Sequence, residues 1–221
     1  WRNSAPTFGD LNGARFTGTT SAADKGNPND DDGHGTHVAG IIGAIGNNGT
    51  AGAGVTGVAW KVQLMPLKFL TAEGTGSISD AISCIDDAIA HGAQIINASY
   101  GGSDGTFVQA ELAAMRRARD AGIIFVAAAG NDGANLDVSP HYPASYPLDN
   151  VIAVGNSDRR DSASATSNYG NGVELFAPGS EILSTYNSSD TAGAIFSGTS
   201  MAAPHVTGAL ALLKAKFPND N

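Results

Sequence analysis

Short apolar segments that alternate with helical patterns constrain the fold of this chain more than any other feature. Apolar runs at residues 62–70, 95–99, 123–128, 151–154 and 173–176 predict strands, with one more short strand at residues 14–18. Residues 34–45, 78–91, 108–121 and 201–216 have the pattern of helices. This alternation predicts an α/β domain in three layers, with helices on both faces of a parallel central sheet.

Size and charge exclude several classes of protein. The chain has 221 residues, enough for one domain of ordinary size, and its formal net charge is −9. That charge disfavours binding to a nucleic-acid backbone, so we expect no nucleic-acid partner. No apolar run approaches the roughly 18 to 20 residues that a membrane-spanning helix needs, and we expect no membrane partner. The single cysteine, Cys84, cannot form an internal disulfide.

A histidine motif lies at the start of the first predicted helix. Residues 32–40 read DGHGTHVAG, with glycines on both sides of His34 that allow another segment to approach closely. A buried histidine with a structural role is one interpretation. The spacing of His34 and His37 also suggests a metal site, but a zinc helix of the usual kind needs a spacing of four and a glutamate, and both are lacking.

A serine motif stands at the mouth of the last predicted helix. Residues 198–205 read GTSMAAPH, which places Ser200 close to helical N–H groups that can stabilise a negatively charged oxygen. Ser200 could equally be a simple helix cap. The serine turn of the α/β-hydrolases is a near match, but Ala202 replaces its last glycine and only His205 follows as a histidine.

An asparagine, Asn131, follows the predicted strand at residues 123–128 and is the third candidate catalytic residue, beside His34 and Ser200. Residues 127–133 read AAAGNDG, which by itself is an ordinary turn. Together, however, His34, Asn131 and Ser200 supply a base, an amide donor and a nucleophile, each at a strand end or a helix start. These are the components of nucleophilic acyl transfer.

The three motifs, in this order, resemble those of the subtilisin-like serine proteases, the subtilases. Smaller matches at residues 74–76 and 99–102 extend the resemblance over nearly the whole chain. It implies a serine endopeptidase with His34 as general base, Ser200 as nucleophile and Asn131 as side-chain donor to the oxyanion. It also implies secretion, an N-terminal propeptide in the precursor, polypeptide substrates and a monomeric state.

The resemblance further implies how a peptide binds. An extended substrate would lie as an added strand between two backbone segments, and the pocket for the residue before the scissile bond would accept a large apolar group between small side chains. The residues implied on the two sides of the peptide are Gly74, Thr75, Gly76, Ser99, Tyr100 and Gly101, and Ala128, Ala129 and Gly130 complete the pocket walls.

A structural calcium ion and a cis proline are two more implications of the resemblance. The glycine-rich loop at residues 45–54 would bind calcium through backbone carbonyls, with Ile45 and Asn47 as ligands. The acidic run Asp30 to Asp32 is either a second calcium site, a basic-selective subsite or a solvated loop. The segment around Tyr142 and Pro143 matches one with a cis peptide bond.

One departure from the subtilase pattern concerns the catalytic aspartate. Subtilases carry it after an apolar strand upstream of the histidine, and none of Asp10, Asp24, Asp30, Asp31 or Asp32 has that context. We therefore expect residues 1–221 to be one subtilase catalytic domain that is incomplete at both ends and inactive alone. Two alternatives are a non-catalytic peptide-binding pseudoprotease and, less favoured by residue order, a serine esterase.

Overall fold

A parallel sheet forms the centre of the molecule. The computed structural model describes residues 28–48, 54–102 and 106–218, and the backbone of β1 (Ala14–Arg15). Strand β2 (Leu67–Lys68) pairs with β1 in parallel. The central sheet has the order β3 (Ile95–Ala98), β4 (Ile124–Ala128), β5 (Val151–Ser157) and β6 (Leu175–Pro178), and all its pairings are parallel.

Helices cover both faces of this sheet. Helices α2 (Ile78–Ala90) and α3 (Gln109–Asp120) pack on one face, where Phe125 and Met115 are completely buried. Val126, the next residue of β4, points to the opposite face and packs with Ala203 of α4 (Thr199–Lys216). Successive side chains of a strand alternate between faces, so β4 contributes to both cores. The predicted three-layer α/β architecture is confirmed.

A third core joins the histidine helix to the serine helix. Helix α1 (His34–Gly43) contributes Ile41 and Ile42 to a cluster with Met201 of α4. An antiparallel hairpin, β7 (Ile182–Thr185) and β8 (Gly193–Phe196), covers this cluster through Ile182 and Phe196. The packing therefore holds the first turns of α1 and α4 close together.

Three expectations from the sequence need correction. The strand predicted at residues 62–70 is limited to β2, because Pro66 has no N–H to donate and regular pairing begins only after it. Helix α1 ends at Gly43, since Ala44 is extended. The β7–β8 hairpin was not predicted, because Leu183 and Ile195 are exposed and the usual alternation of apolar and polar residues is lost.

Candidate active site

His34, Asn131 and Ser200 line one open cleft of about 410 Å³. Phe196, the last residue of β8, and Gly198, just before α4, complete its wall. Asn131 follows the carboxyl end of β4, and His34 and Ser200 lie in the first turns of α1 and α4. Loops beyond the carboxyl ends of parallel strands are where α/β proteins place their ligands. The fold thus brings together the three residues that the sequence motifs singled out.

The start of α4 leaves one backbone donor available, the N–H of Ser200. Gly198 N–H donates to Gly179 O at 2.8 Å, Thr199 N–H to Asn131 Oδ1 at 2.9 Å, and Met201 N–H to Gly198 O at 3.0 Å. The N–H of Ser200 has no hydrogen-bond acceptor among the described residues. A helix N-terminus with an unpaired N–H favours a negatively charged oxygen at that point.

Asn131 is held so that its amide nitrogen is left for the cleft. Its Oδ1 accepts from both the N–H and the hydroxyl of Thr199, at 2.9 and 3.2 Å. The buried hydroxyl of Thr199 in turn accepts from Gly130 N–H at 3.2 Å. Gly130 has a φ of 101°, a conformation that favours glycine and turns the chain from β4 into Asn131. The side-chain oxygen of Asn131 thus accepts two hydrogen bonds, and its NH₂ group is left to donate to a group in the cleft.

His34 is the first residue of α1, and a nearby carboxylate fixes that helix start. Asp30 Oδ1 accepts from Gly33 N–H at 2.9 Å, and Asp30 Oδ2 accepts from the N–H and hydroxyl of Thr36 at 2.7 and 2.6 Å. Burial lowers the pKa of His34 below its ordinary value, although the carboxylates of Asp32 and Asp30 oppose this shift. The imidazole is therefore neutral at pH 7, as a proton-accepting base must be.

Ser200 is tied to strand β3 rather than to His34. Its hydroxyl donates to Ser99 O at 3.4 Å, and Ser99 Oγ donates back to Ser200 O at 2.9 Å. No direct hydrogen bond joins Ser200 and His34 within the described part of the chain. Such bonds between catalytic side chains are often long before substrate binds. Ser200 and His34 are thus connected by the cleft that both line rather than by a bond.

The acidic run before His34 has structural partners. The carboxylate of Asp30 caps α1, Asp31 forms an ion pair with Lys68, and Asp32 accepts from the backbone N–H of His34. No carboxylate within residues 28–48, 54–102 and 106–218 bonds to the ring of His34. The other candidates, Asp10 and Asp24, lie outside the described residues.

The two predicted walls of the substrate pocket lie at the carboxyl ends of two neighbouring strands. Ser99 and Tyr100 follow β3, while Ala128 ends β4 and Ala129 and Gly130 follow it. Ala98 and Ala127 are directly paired, so the two segments leave the sheet side by side. Ala129 is completely buried and Ala128 nearly so.

The opposite side of the predicted groove is a tight turn. Thr71 N–H donates to Thr75 O at 2.8 Å, and Gly74 has a φ of 72° within this turn. The end of the turn packs closely against the residue that follows β2. A methyl group on Gly76 would lie only 2.7 Å from Phe69 O. The ring of Phe69 meets Tyr100 edge-on at 4.8 Å between centroids, which connects the turn to the segment after β3.

His141 occupies a position that motif analysis did not anticipate. A methyl group on Gly101 would collide with its Nε2, and one on Gly130 would lie 2.9 Å from its Cγ. The ring therefore packs against both predicted pocket walls. The peptide bond that follows the next residue, between Tyr142 and Pro143, is cis, which confirms that prediction. The segment that carries this resemblance, residues 142–147, begins after His141, so the sequence gives no signal for this histidine.

His37 and His205 have structural partners. His37 Nε2 donates to Ile182 O and Ala194 O at 3.1 and 3.0 Å, and its ring stacks on Phe196. His205 Nδ1 donates to Met201 O at 2.9 Å. These contacts favour the structural interpretation of His37 over the metal site. The described residues contain no group of three or more histidine, cysteine or acidic side chains that could bind a metal ion.

The predicted calcium loop lies only partly within the described structure. Residues 45–48 are described and residues 49–53 are not. Both predicted ligands, Ile45 and Asn47, are therefore placed, whereas the middle of the loop is not. The loop closes at its base through a 2.8 Å bond from Gly57 N–H to Ala44 O, and Asn47 adopts a φ of 60°. A backbone carbonyl and an amide oxygen suit Ca²⁺, which takes six to eight oxygen ligands. The calcium site stays a prediction.

Comparison with known proteins points to one family. The subtilase family profile, Peptidase_S8, matches residues 7–221. Subtilisin DY of Bacillus licheniformis is 40% identical over 209 residues, which are 94% of this chain and 71% of that protein. Thermitase of Thermoactinomyces vulgaris is 39% identical over 207 residues, with 94% of this chain and 70% of that protein covered. Among solved structures, a cold adapted subtilisin-like serine proteinase matches with a TM-score of 0.75 at 34% identity, over 95% of this chain and 71% of that one.

Proposed function

The chain belongs to the subtilase family, and on that premise we propose that it is a serine endopeptidase with Ser200 as nucleophile, His34 as general base and Asn131 as oxyanion donor. The observation that carries the proposal is the cleft shared by these three residues, in which Ser200 N–H has no described acceptor. Ser200 is not the cap of α4, because the cap position is Gly198 and the Ser200 hydroxyl donates to Ser99 O. The hydroxyl and the free N–H beside it are therefore available for acyl transfer.

The chemistry follows from the positions of these groups. The Ser200 hydroxyl attacks the scissile carbonyl and transfers its proton to the neutral imidazole of His34. The negative charge that develops on the carbonyl oxygen is stabilised by Ser200 N–H and by the amide NH₂ of Asn131. His34 then protonates the leaving amine, and water releases the acyl group from Ser200 by the same steps in reverse order.

The substrate binds as an extended strand. Backbone groups of Ser99, Tyr100 and Gly101 form one side of the groove, and the turn at Gly74, Thr75 and Gly76 forms the other. The packing of Phe69 on Tyr100 supports this arrangement, because it keeps the two segments close. The side chain before the scissile bond enters between Tyr100 and Gly130.

The orienting carboxylate of the mechanism remains to be located. We expect the 221-residue chain, as a single catalytic domain, to hydrolyse peptides slowly or not at all, because loss of that carboxylate from a subtilisin lowers kcat by about 3 × 10⁴. We call the same chain with whatever residues its gene encodes upstream of Trp1 the extended chain. An aspartate after an apolar strand there supports the protease, and another residue at that place supports the non-catalytic alternative.

Four further properties are proposed from the family. The protein is secreted or extracytoplasmic, is made with an N-terminal propeptide, is a monomer and carries structural calcium at Ile45 and Asn47. A calcium ion that binds only the folded loop would raise the free energy of unfolding. No helix of the described residues is long and apolar enough to cross a membrane.

Hydrolysis of casein by the extended chain tests the proposal. We expect cleavage that Ser200→Ala abolishes and that Ser83→Ala, on the outer helix α2, leaves unchanged. A folded extended chain that cleaves no peptide, or cleavage that survives Ser200→Ala, contradicts the proposed function.

A further inference from the structure

His141 fills the space between the two walls of the predicted substrate pocket. Its ring touches Gly101 on the segment after β3 and Gly130 on the segment after β4. Both positions lack a side chain, and a methyl group at either would displace the ring or the backbone. The pocket floor is therefore an imidazole rather than open space, which argues against the large apolar group expected from the small wall residues.

The position of the ring is fixed by its own loop. His141 N–H donates to Ser145 Oγ at 3.0 Å, and Ser145 N–H donates to His141 O at 2.9 Å. Gly102 N–H donates to Tyr142 O at 3.2 Å, which holds this loop against the segment after β3. These bonds use the backbone of His141 and leave its side chain to the pocket.

The pocket adjoins the proposed reaction centre on both sides. The carbonyl of Ser99 accepts from the Ser200 hydroxyl, and Gly130 donates to Thr199, the residue before Ser200. A substrate side chain that enters between these walls next to Ser200 meets the ring of His141. An imidazole at this position is a polar partner, so it favours a side chain that can hydrogen-bond with it over a benzyl or isobutyl group.

The ring nitrogens of His141 make no hydrogen bond to another residue in the described part of the chain. An imidazole offers one N–H when neutral and two when protonated, so the pocket floor can donate to an incoming group. Among the described residues, Asp132 is the charged group that acts on the ring, and the residues that touch it or bond to its backbone, Gly101, Gly130 and Ser145, carry no charge. Burial lowers the pKa of His141, and Asp132 opposes this shift.

We propose that His141 determines specificity by selecting a substrate with a carboxylate side chain, glutamate above all, directly before the scissile bond. This inference rests on the proposed function and names the substrate class of the same site. The carboxylate accepts a hydrogen bond from the imidazolium, and such charge-assisted bonds are the stronger kind. Protonation of His141 strengthens the bond, so selection for glutamate over glutamine increases as the pH falls.

Equilibrium binding of product peptides to the extended chain tests this inference without turnover. The probes are acetyl-Ala-Ala-Ala-Glu, the same peptide ending in Gln, and the same ending in Phe, each at pH 5 and pH 8 by calorimetry. At pH 5 the glutamate side chain is mostly ionised. We expect the Glu peptide to bind about tenfold more tightly than the Gln peptide at pH 5 and nearly equally at pH 8, with the Phe peptide weakest.

Variants separate selection from a structural role. His141→Gln keeps a hydrogen-bonding side chain that cannot ionise, so it should bind the Glu and Gln peptides alike at both pH values. The matched control is His91→Ala, at the exposed end of α2, which should retain the pH-dependent preference for glutamate. Casein cleavage by each variant reports separately on the catalytic residues.

The outcomes distinguish this inference from the proposed function. Binding of the Phe peptide tighter than the Glu peptide at both pH values, or a Glu preference that is unchanged in His141→Gln, overturns the role of His141 alone. A folded extended chain that binds none of the peptides and cleaves no casein overturns the proposed function as well.

Discussion

The substitution Asn131→Asp separates two roles of Asn131, of which one is observed in the structure and the other is proposed. Its Oδ1 accepts from Thr199 N–H and thereby caps the start of α4, whereas its NH₂ group is the proposed donor to the oxyanion. Aspartate keeps an acceptor in the same place and removes both donors. The variant should therefore remain folded but lose transition-state stabilisation.

The magnitudes follow from these contacts. Removal of one such donor from a subtilisin lowers kcat about 100-fold to 1,000-fold, or about 2.7 to 4 kcal/mol, and the new negative charge places Asn131→Asp at the upper end. Its stability should be unchanged or higher by about 0.3 to 1 kcal/mol, because a carboxylate is favourable at a helix N-terminus. Asn131→Leu loses the acceptor too, and should cost about 1 kcal/mol, or about 2 to 4 °C in Tm.

The assay combines steady-state hydrolysis of a chromogenic peptide by the extended chain with thermal unfolding of each variant. We expect Asn131→Asp to lower kcat with KM nearly constant and Tm maintained, and Asn131→Leu to lower both kcat and Tm. A wild-type kcat in Asn131→Asp, or a change confined to KM, would refute the donor role. A lower Tm in Asn131→Asp would refute the capping role.

Three other predictions concern stability. Burial raises the pKa of Glu111, whose Oε1 has no hydrogen-bond partner among the described residues. The folded state therefore favours the protonated form and loses stability as the pH rises above the ordinary glutamate pKa. Glu111→Gln should therefore raise Tm at pH 8 and much less at pH 4, and equal effects at both would contradict this reasoning. Thr199→Val leaves the buried N–H of Gly130 without its acceptor. The free energy of unfolding, measured in urea, should therefore fall by about 1 to 3 kcal/mol. An unchanged free energy of unfolding would mean that the 3.2 Å contact does not stabilise the protein. Removal of calcium by a chelator should lower the Tm of the extended chain. The decrease should be smaller in Asn47→Ala, which lacks one predicted ligand, and an unchanged Tm in both proteins would contradict the predicted site.

The sequence was sufficient for the elements whose signals are local. Strand β4 and helix α4 have continuous apolar or helical patterns, and their ends placed Asn131 and Ser200 correctly at one edge of the sheet. His34 was found because glycines flank it at a helix start. Each motif alone also fitted a structural role, and only the three motifs together, with their resemblance to the subtilases, indicated acyl transfer.

The features that were missed depend on contacts distant in sequence. The β7–β8 hairpin exposes Leu183 and Ile195, so its strands lack the alternation that reveals a half-buried strand. His141 contacts the walls of the predicted substrate pocket only because its loop folds back on residues 101 and 130. The second role of Asn131, as acceptor for Thr199 N–H, likewise appears only when the end of β4 meets the start of α4.

The most direct test of the central claim is to locate the site of fluorophosphonate labelling by mass spectrometry and to measure casein cleavage on the same samples. The samples are the 221-residue chain, the extended chain and its His34→Ala variant. The account predicts a single adduct on Ser200 with cleavage in the extended chain, and little of either in His34→Ala or in the 221-residue chain. An adduct elsewhere, or labelling of Ser200 that does not depend on His34, would contradict it. Equal cleavage by the two chain lengths would show that a carboxylate within residues 1–221 orients His34 after all.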